Sequence, residues 1–171
     1  MWLSEDYDRV SARAELPWIS YYRDGLTIAA SLSDWKSVDR LLAWPGPDVK
    51  HDEGLDDRTK QDNLYQIWLA ARLRGEPETA VAKERSGIEK GTRRRPKMLL
   101  EAADALFAKD SAGLSKSLQT YLRHYQKNEF NTRQVDLGIC ADANVLWHLA
   151  RRRKLKPIAL PADLALFIVR K

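Results

Sequence analysis

Apolar residues recur along this chain with the spacing of helices. Between Asp57 and Gly75, Leu64, Ile67, Trp68 and Ala71 fall at i, i+3, i+4 and i+7, which is one face of a helix. Asp57 is placed to cap its start and Gly75 to end it. Leu99, Ala102, Ala103, Leu106 and Phe107 repeat the pattern between Pro96 and Asp110, with Pro96 suited to a first turn. Leu114, Leu118, Tyr121, Leu122 and Tyr125 mark a helix from Ser111 to Lys127. From Gln134 to about Lys154, the residues Leu137, Cys140, Ala141, Asn144, Val145, Trp147 and His148 predict a broad, mostly buried helix. Pro17 to Ser31 and Asp34 to Trp44 give two more, with Ser33 or Asp34 as N-cap of the second. Alternation of Val, Ile and Thr is missing, as is any Asn-Gly hairpin signal. The tail from Ala159 to Val169 mixes signals, and Pro161-Ala162-Asp163 tips it to helix.

Three segments share a turn, an acid and a new amphipathic start: residues 31–38, 73–80 and 107–114, with acids at Asp34, Glu76 and Asp110. Intervals of 42 and 34 residues between these acids suit tetratricopeptide-like repeats. Any antiparallel helical bundle would also carry such turns. The expected fold is therefore all-α, one domain over 1–171, with about seven or eight helices in stacked antiparallel hairpins, tetratricopeptide-like or irregular. Trp35, Leu64, Trp68, Leu99, Leu106, Leu118 and Trp147 are its expected core.

Composition narrows the function. With 44% hydrophobic and 31% charged residues the chain is globular rather than disordered. Its one cysteine cannot form an internal disulfide. The acidic start Met1-Trp2-Leu3-Ser4-Glu5-Asp6 does not suit a signal peptide, and no run approaches a membrane span. A cytoplasmic protein with no membrane partner is expected. Net charge is +5 but unevenly spread. Residues 1–90 carry 13 basic against 17 acidic residues, and residues 91–171 carry 16 against 7. That polarity orients a charged partner.

No combination of residues suggests an enzyme. Cys140 and His148 are eight apart, roughly 80° and about 12 Å along one helix, too far for a nucleophile and its base. His51, His124 and His148 are scattered, and no Cys-x-x-Cys or His-x-x-x-His pair exists, so neither metal nor cofactor is expected. Asp48, Asp52, Glu53, Asp56 and Asp57 lack the order of a calcium loop. Glycines form no phosphate-binding motif. Arg93-Arg94-Arg95 and Arg151-Arg152-Arg153 can meet phosphates, but each borders a helix end, where its charge also has a local use. Only weak, salt-sensitive nucleic-acid binding is expected of them.

One stretch invites a partner. Trp44-Pro45-Gly46-Pro47 stiffens the entry to an acidic run, so Asp48, Asp52, Glu53 and Asp56, with Trp44 as an aromatic anchor, are the candidate partner-binding residues. Asp48 to Asp57 can equally be a solvating loop before the next helix.

The order of motifs resembles a known family. Leu32 is followed by Asp34, Trp35, Val38, Leu41 and Leu42; next come Ala71, Arg74, Gly75 and Glu76, then Ala105 to Asp110 with Leu114. Tyr121, His124 and Tyr125 come after these, then Leu137 to Asp142, Leu149 to Arg153, and Leu160-Pro161. This is similar to the α-helical immunity proteins of bacterial polymorphic toxin systems. The resemblance implies a protein that binds a cognate toxin and occludes its active surface. It carries over no catalytic residue. The basic net charge departs from the acidic character usual against nucleases, which counts against a nuclease as the toxin. A helical-repeat adaptor or regulator holding a protein or nucleic acid is the alternative.

Overall fold

The computed structural model describes residues 25, 26, 28–30, 32–43, 56–130, 139–156 and 158–169. Residues 25, 26 and 28–30 are helical, and the helices after them are α1 (Trp35–Ala43), α2 (Asp57–Leu73), α3 (Ala82–Lys90), α4 (Arg94–Phe107), α5 (Ser111–Tyr125), α6 (Ala141–Arg152) and α7 (Ala162–Ala165). A 3-10 turn at Glu78–Val81 leads into α3, and a π-turn at Gln126–Phe130 extends α5. No strand occurs among the described residues, so the fold is all-α as the periodicity requires.

Helix α4 sits centrally, against α2, α3, α5 and α6, and its most extensive partner is α5. Its inward residues Leu99, Ala102, Ala103 and Leu106 are essentially inaccessible, as are Leu114, Leu118, Tyr121 and Leu122 of α5. Of the expected core, Trp68, Leu99, Leu106, Leu118 and Trp147 are buried, while Trp35 and Leu64 lie at its rim. Leu64 lies against α3 at Gly87, where a Cβ would stand 2.7 Å from Leu64 Cδ1 and the leucine side chain would have to shift.

Four helix ends close in one way. Ser33, Gly75, Lys109 and Lys154 all have positive φ. In each case this residue's N–H donates to the carbonyl three back, and the next N–H donates to the carbonyl five back. These paired bonds define the Schellman ending, which satisfies carbonyls the helix leaves open. Asp34, Glu76 and Asp110, spaced regularly in the sequence, are the residues directly after the first three. Asp34 and Asp110 also cap the next helix, accepting from Ser37 N at 3.1 Å and Gly113 N at 2.9 Å. Glu76 does not cap. It pairs with Arg74 at 2.7 Å, and the chain passes through Pro77 and the 3-10 turn before α3 begins.

The left-handed conformation costs an L-residue roughly 1–2 kcal/mol, and glycine is nearly free of that cost. Lys109→Gly is therefore expected to stabilise the protein by about 1 kcal/mol, partly offset by the greater freedom of an unfolded glycine. Lys109→Ala serves as the control without the gain. Chemical denaturation of the three proteins checks it.

The structure corrects three local expectations. Asp56, not Asp57, caps α2: its extended backbone aims the carboxylate at Thr59 N, 2.6 Å away. Helix α6 starts at Ala141, not Gln134. Cys140 is extended there because its N–H donates out of the helix, to Phe167 O at 3.1 Å. Residues 134–138 of that expected helix lie outside the described residues. The tail is helical only over Ala162–Ala165, because buried Asn144 captures the backbone beyond that turn. Its side chain donates to Phe167 O and accepts from Val169 N, at 2.9 and 2.8 Å.

Candidate functional site

Trp44, Asp48, Asp52 and Glu53 lie outside the described residues. Asp56 and Asp57 are exposed side by side at the start of α2. The bonds that Asp56 accepts from Thr59 hold its carboxyl below the usual carboxylate range. Asp56 thus carries a helix cap whatever else it contacts.

Four arginines of the basic triplets are engaged by other side chains. Arg93 and Arg95 both pair with Asp62 of α2, and Arg95 also pairs with Asp142 of α6. Asp142 is 5% exposed and accepts further bonds from Tyr121 Oη at 3.2 Å and Gln66 Nε2 at 3.4 Å. Four helices, α2, α4, α5 and α6, therefore meet on one carboxylate. In the second triplet, Arg152 grips Asp39 of α1 through both nitrogens at 2.9 Å and lies 4.9 Å over the Trp35 ring. Arg153 lies 4.6 Å over Phe107, whose ring Arg72 also approaches at 5.1 Å. Burial, then the charges of Arg72 and Arg152, lower the Arg153 pKa. Of the six arginines only Arg94 and Arg151 remain exposed without a drawn-in partner among the described residues.

Cys140 is buried at the N-cap of α6, and burial, reinforced by Asp142, pushes its thiol up to about 12. A thiol so held stays protonated at neutral pH and is a poor nucleophile. His148 is buried further along α6. Among the described residues no group of three or more His, Cys, Asp or Glu is placed to hold a metal, and no helix is long and apolar enough to cross a membrane.

A site that the sequence did not announce lies at the C-terminal end of α6. Trp147, Ala150 and Arg151, at i, i+3 and i+4 on one face, form one wall of a half-open groove of about 340 Å³. Leu155, Lys156 and Ile158, from the segment that turns back after α6, form the other. Ser115 Oγ and Gln119 Nε2 of α5 hold that segment by donating to Ala159 O, at 2.6 and 3.0 Å. Trp147, Ala150 and Ile158 are buried, while Arg151 and Lys156 are exposed.

No protein-family model, curated protein or solved structure matches this chain.

Proposed function

We propose that this protein is a cytoplasmic toxin-neutralising immunity protein, which binds a cognate bacterial toxin and occludes its active surface. One observation supports a protein partner most: four of the six triplet arginines are engaged by Asp62, Asp142, Asp39 and Phe107, while Asp56 and Asp57 stay exposed together. Cations already paired within the protein have less to offer a phosphate backbone. Exposed acids at the end of the 48–57 run suit a toxin's basic substrate surface. Trp44, Asp48, Asp52, Glu53 and Asp56 are the proposed contacts.

The test is to co-express the protein with the C-terminal domain of a toxin encoded beside it. Restored growth and a co-purifying complex are expected. A variant with Asp52, Glu53 and Asp57 changed to Ser, and the Asp56 cap kept, should bind at least about tenfold more weakly. Unaltered affinity and salt dependence would remove the acidic run from the interface. No complex and no rescue would remove the immunity reading. The groove on α6 favours a second reading, a helical adaptor that holds a protein segment, to which a complex without rescue would point.

A further inference from the structure

We infer that the groove at the end of α6 is a docking site for an acidic protein segment that offers an apolar side chain between carboxylates. The inference is independent of the toxin reading and uses the opposite end of the charge distribution. The groove combines an apolar lining with a cationic rim. Trp147, Ala150, Leu155 and Ile158 supply the first, and Arg151 and Lys156 the second. A cation at a helix C-terminus is favoured by the dipole, which accounts for Arg151 in the last turn of α6. Lys156 lies four residues beyond that helix and has no such local reason. Neither cation has an acidic partner among the described residues, although most arginines nearby have one or stack on a ring. Two unmatched cations beside an apolar lining complement carboxylates flanking an apolar anchor.

Shape selects a protein segment over a small molecule. A small ligand needs most of its surface enclosed, and a half-open groove leaves much of it in water. A partner segment runs on across the rim, so its uncovered portion is buried by the rest of the partner. Wall rigidity favours docking as well. One wall belongs to a helix buried along most of its length, and the other is tied to α5 through Ala159 O. Little order then has to be gained on binding.

The probes are three fluorescein-labelled hexapeptides sharing a central Leu-Phe pair, flanked by two acidic, two serine or two lysine residues on each side. Fluorescence anisotropy is read against the full chain, against Arg151→Glu/Lys156→Glu, and against Arg94→Glu as an exposed control. The acidic peptide is expected to bind the unaltered protein and the Arg94→Glu control alike. The double charge reversal should weaken it at least about tenfold, with the difference shrinking at high salt. The serine peptide should bind more weakly and the lysine peptide weakest. Both altered rim positions are exposed, so the reversed protein keeps its helical circular dichroism, and lost binding reports the groove. Three results would overturn the inference: equal binding of acidic and serine peptides, no effect of the reversal, or no acidic-peptide binding below about 1 mM.

Discussion

Replacing Arg95 by leucine is expected to lower the unfolding free energy by about 3–5 kcal/mol. In a chain of this size that lowers Tm by about 10 °C, at roughly 2–4 °C per kcal/mol. The reason is Asp142. It is nearly inaccessible and pairs with Arg95, and Tyr121 and Gln66 add neutral hydrogen bonds. Without the guanidinium the buried carboxylate loses a close opposite charge, and less of its desolvation is repaid. Asp62 also loses one of its two arginines, but it retains Arg93 and is less deeply buried. A double variant, Arg95→Leu/Asp142→Leu, removes both charges and should recover a large part of the loss, giving a coupling of opposite sign to the single effects. Denaturant titration of the two single variants and the double measures it. A loss below about 1 kcal/mol for Arg95→Leu would mean that the network does not hold the four helices together.

The same arginine shows what the sequence could and could not say. Arg93-Arg94-Arg95 is conspicuous as a run, and runs of cations suggest a surface. Their partners, Asp62 and Asp142, lie 31 and 47 residues away from Arg93 and Arg95, and nothing local connects them. Helical spacing, by contrast, is a local property, and Leu99, Leu106, Leu114, Leu118 and Trp68 were legible from it because each repeats within its own helix. Turn chemistry was legible to the same extent. Asp34 and Asp110 announce caps because a capping acid acts within three residues. Glu76 looks alike in sequence but is diverted by Arg74 beside it, and Pro77 delays the next helix.

The boundaries that escaped sequence reasoning are set from a distance. Cys140 lies on an apolar stripe and reads as helix, yet Phe167 O takes its N–H and holds it outside. Asn144, unremarkable between apolar neighbours, pins the tail. The groove was hidden for a similar reason. Trp147 reads as core, which it is, while Arg151 reads as part of a helix-end run of arginines. Only the placing of Leu155, Lys156 and Ile158 against α6, with Ala159 held by Ser115 and Gln119, brings these two readings into one site. Asp56 escaped by a single residue, since an acid at either of two adjacent positions can start a helix and backbone conformation decides between them.

Trp68→Ala is expected to cost about 3–5 kcal/mol, the range for truncating a fully buried aromatic. Trp68 is inaccessible, stacks on Tyr65 at 6.4 Å and meets Phe107 edge-on at 5.8 Å. Its Nε1 donates to Glu78 at 3.2 Å, and Glu78 in turn pairs with Arg72 and Arg85. Arg85 also grips Asp104 of α4 through two nitrogens, at 2.9 and 2.7 Å, which raises its pKa further above the usual range. The indole thus fills the core and also anchors the carboxylate that joins α2 to α3 and its leading turn. Two variants separate those roles. Trp68→Phe keeps most of the ring but loses the donor, and should cost less than the alanine change by the packing it preserves. Leu106→Ala, inaccessible on α4, removes apolar volume without touching the polar network, and should cost about 2–5 kcal/mol. If Trp68→Phe proved as damaging as Trp68→Ala, the hydrogen bond to Glu78 would outweigh packing. If both Trp68→Ala and Leu106→Ala left thermal unfolding unchanged, the inward faces assigned to α2 and α4 would be wrong.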